Sequence, residues 1–562
     1  MKMPSDPPLR NEVAMGITSS ATRWIWSFVL LLPVITLYLS AWFGHPPGER
    51  FTGFLIYDMG VYMADARSFF TGGFHFLYSN PSSADSNAPA IYFQPQFLLL
   101  GIVQVLTGAD PGLIFVIFGF FTALIAIRVA IALYEEIAGS GGPWAQLGWL
   151  LFVWGGGVVI LCGFFYHLIS HHPPSDFMTD LLGFDPCYGW WFLNLGRNLI
   201  LPTEAYYHAL AFGAVLMALR GHYGGAVGLA FLLSISHPFT GVQFALILLA
   251  WCTLERFWVG NKELPWWFAL GMLSVLVFHF GYYLWFLNRF AEHRNIFEQY
   301  SQSWGIRASS FVPADLLVGL LAYVAMRNLE IARRLFARPA NRLLLIWFVV
   351  SFLLAHHDAF VDPRMPVHFT RGYTWIPLFL LGIQPLLGLI DRCFRLKGPL
   401  IRSLAITSVL MLGLSDNGVW LAHQCDVSLR ALYVPDARGE GLYLRDSDRQ
   451  LMGWLKERPL PHRELIVSPE YETLLTAHPV KYLSTVYTDY RASASHAVTT
   501  PFYARRTEEE IAYFQAGKVP DEWRGRSLLI VSKIANPPPG FLPDAPVVYE
   551  NKDYRVQAMT MP

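Results

Sequence analysis

Eight long, sparsely charged apolar runs constrain this chain more than any other feature. They are Trp24–Phe43, Pro111–Tyr134, Trp144–Ile169, Pro265–Leu287, Phe311–Ala325, Leu343–Ala355, Tyr373–Ile390 and Leu400–Trp420. Each is long enough, or nearly so, to cross about 30 Å of hydrocarbon as a helix. Charged residues make up 15% of the chain, against about a quarter in an average soluble protein. The expected fold is therefore an α-helical polytopic membrane protein. The net charge of +0 and the lack of a basic domain argue against a nucleic-acid partner.

The first run follows a polar segment bearing Lys2, Arg10 and Arg23, and no small-x-small cleavage site follows it in Trp42-Phe43-Gly44-His45-Pro46. It reads as an uncleaved first span rather than a signal peptide. Five cysteines (Cys162, Cys187, Cys252, Cys393, Cys425) show no paired spacing, so no zinc site or disulfide framework is indicated. One bridge between Cys187 and Cys425 stays open.

Basic residues mark cytoplasmic loops. Arg327–Arg342 and Arg392–Arg402 are the two strongly basic connections. Placing both in the cytoplasm puts His356–Arg371, Asn288–Ser310, His167–Leu201 and everything after Trp420 on the opposite face. The basic N-terminal segment, residues 1–23, is cytoplasmic, so the first loop, residues 44–90, is external. Ile91–Thr107 must then be re-entrant or lie against the bundle, giving about eleven spans; a twelfth, crossing, segment is the competitor. Tyr223–Arg256 reads as two spans broken near Ser236-His237-Pro238, because proline lacks a backbone donor. There the His237 imidazole is expected to bond a carbonyl freed by the break.

After the membrane domain, residues 24–425, the composition becomes that of a soluble α/β domain, residues 426–562. Asp446-Ser447-Asp448 caps a helix to Glu457, and Thr507-Glu508-Glu509-Glu510 reads as a capping box for a helix ended by Gly517. Glu464–Ser468, Val480–Thr488, Ser527–Lys533, Pro546–Tyr549 and Tyr554–Ala558 read as strands.

Candidate chemistry begins in the first external loop. In Tyr57–Phe70, Asp58, Tyr62 and Asp65 fall on one helical face. A carboxylate just above the bilayer can act as general base on an incoming hydroxyl; the alternative is that Asp58 only caps an interfacial helix. A Pro-containing apolar segment, Asn87–Pro95, follows, then many spans and a terminal α/β domain. This plan resembles the GT-C superfamily of membrane glycosyltransferases, with mannosyl- and arabinosyltransferases among its members. The resemblance implies a polyprenyl-phosphate-sugar lipid donor and a glycan, lipid or protein acceptor on the external face. It also implies that Asp58 is the catalytic base, with Asp65 in reserve. Met59 stands where a neighbouring Asp-Glu pair would make a fuller match, which leaves the subfamily and the use of a divalent metal open.

An inverting transfer also needs positive charge on the leaving phosphate. His356–Tyr373 carries Arg364, His368 and Arg371 just before a span, and the arginine fork matches phosphate oxygens; the alternative is snorkelling to lipid headgroups. Arg289, His293 and Arg294 form a weaker set, more in keeping with a solvated loop. Glu204 and His208, at i and i+4, together with Tyr62 would line an acceptor cavity, since ionisable groups inside spans are costly; the alternative is that Glu204 and His208 sit high enough to reach water. His167, His171 and His172 share a loop with Asp176 and Asp180. Of these, His171 and His172 are the metal candidates, although the spacing fits no closed site.

The expectation is thus an integral membrane hexosyl- or pentosyltransferase of the cell's inner or plasma membrane, in contact with membrane lipids, with its terminal domain outside. The rivals are a lipid-carrier polysaccharide polymerase or ligase, a transporter, and a non-catalytic membrane scaffold. A transporter would show related halves and paired broken helices; the sequence has one break and no evident repeat.

Overall fold

The computed structural model describes residues 19–139, 144–190, 193–299, 305–327, 329–434, 441–458, 464–469, 479–534 and 544–562. The first helix, Ser20–Phe43, is opened by Ser19, whose hydroxyl accepts from the Thr22 amide at 3.1 Å. Arg23 near its start pairs with Glu135 at 3.0 Å, and Glu136 pairs with Arg220 at 2.9 Å. These pairs gather the beginning of the first helix with the ends of helices Pro111–Ala138 and Pro202–Leu219. At the other end of the bundle the first loop presses on the start of Pro111–Ala138. Gly112 is essential to that approach, because a Cβ there would lie 1.5 Å from the Thr52 carbonyl oxygen.

Among the described residues six helices are long and apolar enough to cross a membrane, and up to eight spans result if each of two bent pairs is one span. The bent pairs are Ala145–Trp154 with Val159–Ser170 and Trp375–Leu381 with Ile383–Phe394, each bent by 59°. In the first pair the cause is a carboxylate wedged into the break. Asp416 accepts from the Gly157 amide at 2.8 Å and from the Ile160 amide at 3.0 Å. The shorter apolar helices Tyr223–Ser236 and Pro339–Ala355 have 14 and 17 residues, below the roughly 20 of a full span. By length and composition alone the described helices give six to eight spans, which does not confirm the eleven expected.

Helix Pro95–Thr107 has 13 residues, about 20 Å of rise. Gln94, just before it, accepts a hydrogen bond from Tyr78 of the first loop. After it, Asp110 caps Pro111–Ala138 beside Thr52. Both ends are thus anchored on the first-loop side. At the Ser236-His237-Pro238 break the chain reverses: Gly241 packs on Ser234, and Tyr223 and Trp251 both meet Phe268.

The last long helix, Pro399–Leu429, continues beyond Asp426. Strand Tyr443–Arg445 then returns to pair antiparallel with Glu49–Phe51 of the first loop. The terminal sheet has five strands, in the order Arg491–Ala492, Leu465–Val467, Ser527–Lys533, Tyr554–Thr560, Val547–Glu550. The first three run parallel and the last two add antiparallel. Helix Asp446–Glu457 forms as expected, with Asp448 accepting from the Arg445 amide at 2.8 Å.

Two expectations fail here. Val480–Thr488 is not a strand but lies within helix Pro479–Tyr487 and its end, where Val480, Leu483 and Val486 are buried at helical spacing. Thr507–Glu510 is mid-helix rather than a cap, since the helix runs Tyr503–Ala516 and ends at Gly517 in the left-handed region. Its Glu510 is buried and instead binds Lys481 Nζ at 3.0 Å and the Ser468 amide at 2.8 Å. All five cysteines are free. Cys425 faces Ser40 of the first helix while Cys187 is exposed, so no bridge joins them.

Candidate active site

Helix Met59–Ser68 carries the three first-loop candidates. Asp58 stands at its N-cap position, yet its side chain makes no cap bond. Instead Asp58 Oδ1 lies 3.0 Å from Nε2 of His496, a residue of the terminal domain. His496 Nδ1 accepts from the Val498 amide at 3.2 Å and the Thr499 amide at 3.3 Å. With Nδ1 occupied as an acceptor, the proton of the neutral ring sits on Nε2, which donates to Asp58. The imidazole stacks on Tyr57 at 4.5 Å, and Tyr57 packs on Tyr482 at 4.3 Å. The His496 side chain is 3% exposed and that of Asp58 58%. One carboxylate oxygen is thereby fixed while the side chain stays open to solvent.

Asp65 has a different setting. Burial pushes its pKa up to about 8, and a hydrogen bond with Tyr78 opposes this. Tyr78 gives its own proton to Gln94. Tyr62 points into the bundle, its ring stacked on Phe97 at 5.3 Å. Its hydroxyl lies near Thr203 and within electrostatic reach of Asp58, Glu204 and Arg371.

Glu204 and His208 open helix Pro202–Leu219, and both are buried. Glu204 Oε1 receives Arg371 Nη1 at 2.5 Å. His208 lies between two carbonyls, Glu204 O at 2.8 Å and Arg371 O at 3.0 Å. Arg371 also donates to His368 Nδ1 at 2.7 Å and to the His368 carbonyl at 3.1 Å. Its backbone has φ 35°, followed by Gly372 at φ 75°. A non-glycine residue in this region is strained, and such strain persists only where the surroundings enforce it. The enforcing contacts are His208 on the carbonyl and Glu204 on the side chain.

His368 stacks on Phe239 at 4.5 Å, and its ring is 6.4 Å from that of His237 at the helix reversal. His237 does not bond a freed carbonyl. Its Nδ1 accepts from the Thr240 amide at 3.1 Å, capping helix Pro238–Thr253. Arg364 is exposed and reaches another way, its guanidinium carbon 4.8 Å over the Phe297 ring. Of the weaker set, Arg289 lies 3.6 Å over Trp285, and His293 Nδ1 accepts from the Tyr92 hydroxyl at 3.1 Å.

The histidine loop is closed on itself. His167 Nδ1 and His172 Nδ1 both meet Asp180 Oδ2, at 2.8 and 2.9 Å. These hydrogen bonds, the one from His167 foremost, hold the Asp180 carboxyl below its ordinary pKa. His171 sits apart from them as a left-handed C-cap. Among the described residues no three His, Cys, Asp or Glu side chains gather to hold a metal ion.

Two features were missed from sequence. His496 lies 438 residues from Asp58 in a stretch without periodicity or motif. Arg197, buried at 1% exposure, locks Asp185, Gly189, Asp416 and Asn417 together beneath Trp420. Its burial carried no sequence signal beyond the nearby Trp190-Trp191-Phe192 run.

No protein-family model matches the chain, and no curated protein does. Solved structures match over most of its length. The apo oligosaccharyltransferase of Archaeoglobus fulgidus aligns at TM-score 0.52 and 11% identity, covering 92% of this chain and 70% of that one. The same archaeal protein, AglB, in complex with an inhibitory peptide and a dolichol-phosphate gives TM-score 0.49 at 12% identity, covering 91% and 69%. A complex of it with Zn and sulfate gives 0.46 at 12% identity, covering 91% and 68%. The chain thus shares the fold of the apo archaeal oligosaccharyltransferase.

Proposed function

We propose that this protein transfers a sugar from a polyprenyl-phosphate-linked donor to a hydroxyl or amide acceptor, at the membrane surface on the side of the terminal domain. The observation that carries the reading is the convergence on Tyr62, whose hydroxyl lies within electrostatic reach of both Asp58 and the Glu204–Arg371 pair. A base and a cation both within reach of one phenol suit a displacement in which charge moves from acceptor to leaving group.

In this reading the acceptor oxygen or nitrogen attacks the anomeric carbon and a new glycosidic bond forms. The bond from that carbon to the phosphate oxygen breaks, and the phosphate leaves on its lipid with the electron pair. The acceptor proton passes to the open oxygen of Asp58. Arg371, with His368 beside it, receives the phosphate, while Tyr62, Glu204 and His208 shape the cavity. Arg364, on the exposed rim, guides the lipid-linked anion toward it.

The same proposal places the first loop and terminal domain outside the cytoplasm. The contact between Glu49–Phe51 and Tyr443–Arg445 supports a common side. Counting the bent pairs and the shorter helices Pro202–Leu219, Tyr223–Ser236 and Pro339–Ala355 as spans gives eleven, with Pro95–Thr107 re-entrant. The reading is tested with the full chain in lipid nanodiscs, offered radiolabelled mannose on polyprenyl phosphate and labelled oligosaccharide on polyprenyl diphosphate. Transfer or donor hydrolysis lost in Asp58→Asn is expected. Full activity in that variant overturns the assignment of the base.

A further inference from the structure

We infer that His496 is a positioning residue for the reaction, holding Asp58 in the orientation that leaves one carboxylate oxygen for the acceptor. The inference rests on the reading of Asp58 as base, and extends the working site to the terminal domain.

The geometry is that of a built support. Two backbone amides fix the His496 tautomer, as described, and the His496 amide donates to Thr500 Oγ1 at 2.9 Å. The ring face is held by Tyr57, whose hydroxyl donates to the Ser495 carbonyl at 3.0 Å. His496 thus has one remaining degree of function, the Nε2–H directed at Asp58. A carboxylate on an otherwise exposed side chain samples several rotamers, and a buried donor that captures one oxygen removes most of that freedom. The titratable groups facing Asp58 are Tyr57, Tyr62, Tyr482 and His496. Of these, His496 makes a side-chain hydrogen bond to the carboxylate.

The arrangement also links catalysis to domain docking. His496 reaches Asp58 only while the terminal domain is seated on the first loop. Other contacts seat it: Arg67 with Asp489 at 2.9 Å, Asn80 with the Thr499 carbonyl at 2.8 Å, and Arg491 with Ser79 at 2.9 Å. The domain is therefore part of the site and not a tethered accessory.

The test compares His496→Phe, which keeps an aromatic face for Tyr57 but removes the donor, with His496→Gln, whose amide nitrogen can replace Nε2–H. Both are made in the full chain in nanodiscs and assayed with labelled mannosyl-phosphopolyprenol and with the diphosphate-linked oligosaccharide. We expect His496→Phe to lower kcat about a hundredfold, the scale of a small misplacement of a reacting group, with donor KM changed less than about threefold. His496→Gln should recover most of the loss. The double variant with Asp58→Asn should be no slower than Asp58→Asn alone, because the histidine acts through the aspartate. Thermal unfolding of both single variants reports whether they fold.

Wild-type kcat in a folded His496→Phe protein overturns the inference. So does a double variant slower than Asp58→Asn by the full factor of the histidine change, or a folded Gln variant as slow as Phe. Activity retained in Asp58→Asn overturns the base assignment itself, and absence of transfer or hydrolysis by the wild-type chain with every donor overturns both.

Discussion

Arg371 Nη1 lies 2.5 Å from Glu204 Oε1, and the two side chains are 5% and 9% exposed. As a phosphate ligand alone, Arg371 replaced by Ala would mainly weaken donor use. The pair alters that reading, because removing the arginine strands a buried carboxylate. Breaking a buried pair from one side costs about 3–5 kcal/mol. Arg371→Ala should therefore lower the unfolding temperature as well as raise donor KM. Glu204→Gln should do the reverse at the site. It keeps an oxygen for the guanidinium while returning a full positive charge to the cavity, so a soluble probe such as farnesyl phosphate should bind several-fold more tightly. Tryptophan quenching by farnesyl phosphate in both variants checks the pair of outcomes.

Asp58 behaves differently because its side chain is mostly exposed. Asp58→Asn keeps the size and can still accept from His496, so its unfolding temperature should stay within a degree or two of wild type. Transfer should fall at least a hundredfold, the typical contribution of a general base. Parallel measurements of melting and turnover separate this from a folding defect.

For Asp65 the expected signature is in the pH dependence of stability. Its folded pKa is raised to about 8, above the ordinary value of about 4 for an aspartate. Between those two values the folded state holds a proton that the unfolded state has released. Stability therefore falls as pH rises from about 4 to about 8 and levels off above. Asp65→Asn mimics the protonated form and removes this slope. The unfolding temperature of the variant relative to wild type should climb steadily from pH 5 to pH 8 and then stay constant; a constant difference throughout would contradict the assignment.

Much of this was legible in the sequence because membrane helices announce themselves by composition. The apolar runs, the Pro238 break, Gly517 and four of the five expected strands are local signals that tertiary packing left intact. Val480–Thr488 misled because its valines and threonines carry strand propensity, while the burial of Val480, Leu483 and Val486 on one face decided for helix. The site was legible only by element. Asp58, Tyr62, Glu204, His208, His368 and Arg371 could each be singled out as ionisable or polar groups near a span end. That Arg371 would be neutralised by Glu204, or Asp58 gripped by His496, depends on pairings across 167 and 438 residues, which no local pattern encodes. Arg364 shows the converse, as the sequence grouped it with Arg371 but an exposed side chain turned toward Phe297.

Gly60 provides a test of the docked terminal domain that leaves every polar site residue in place. A Cβ at this position would lie 2.4 Å from Tyr482 Oη and 2.9 Å from Cζ. Tyr482 cannot swing aside cheaply, since it is 1% exposed, packs on Tyr57 and donates to the Tyr57 carbonyl. Gly60→Ala must therefore push the terminal domain outward and carry His496 away from Asp58. The expected result is faster proteolytic release of the terminal domain and a kcat reduced about tenfold or more, with binding of farnesyl phosphate near Arg371 nearly unchanged. Adding Tyr482→Phe removes the atom in closest conflict, so the double variant should regain part of both protease resistance and kcat. If Gly60→Ala loosens the domain yet turns over like wild type, docking is not coupled to the chemistry at Asp58.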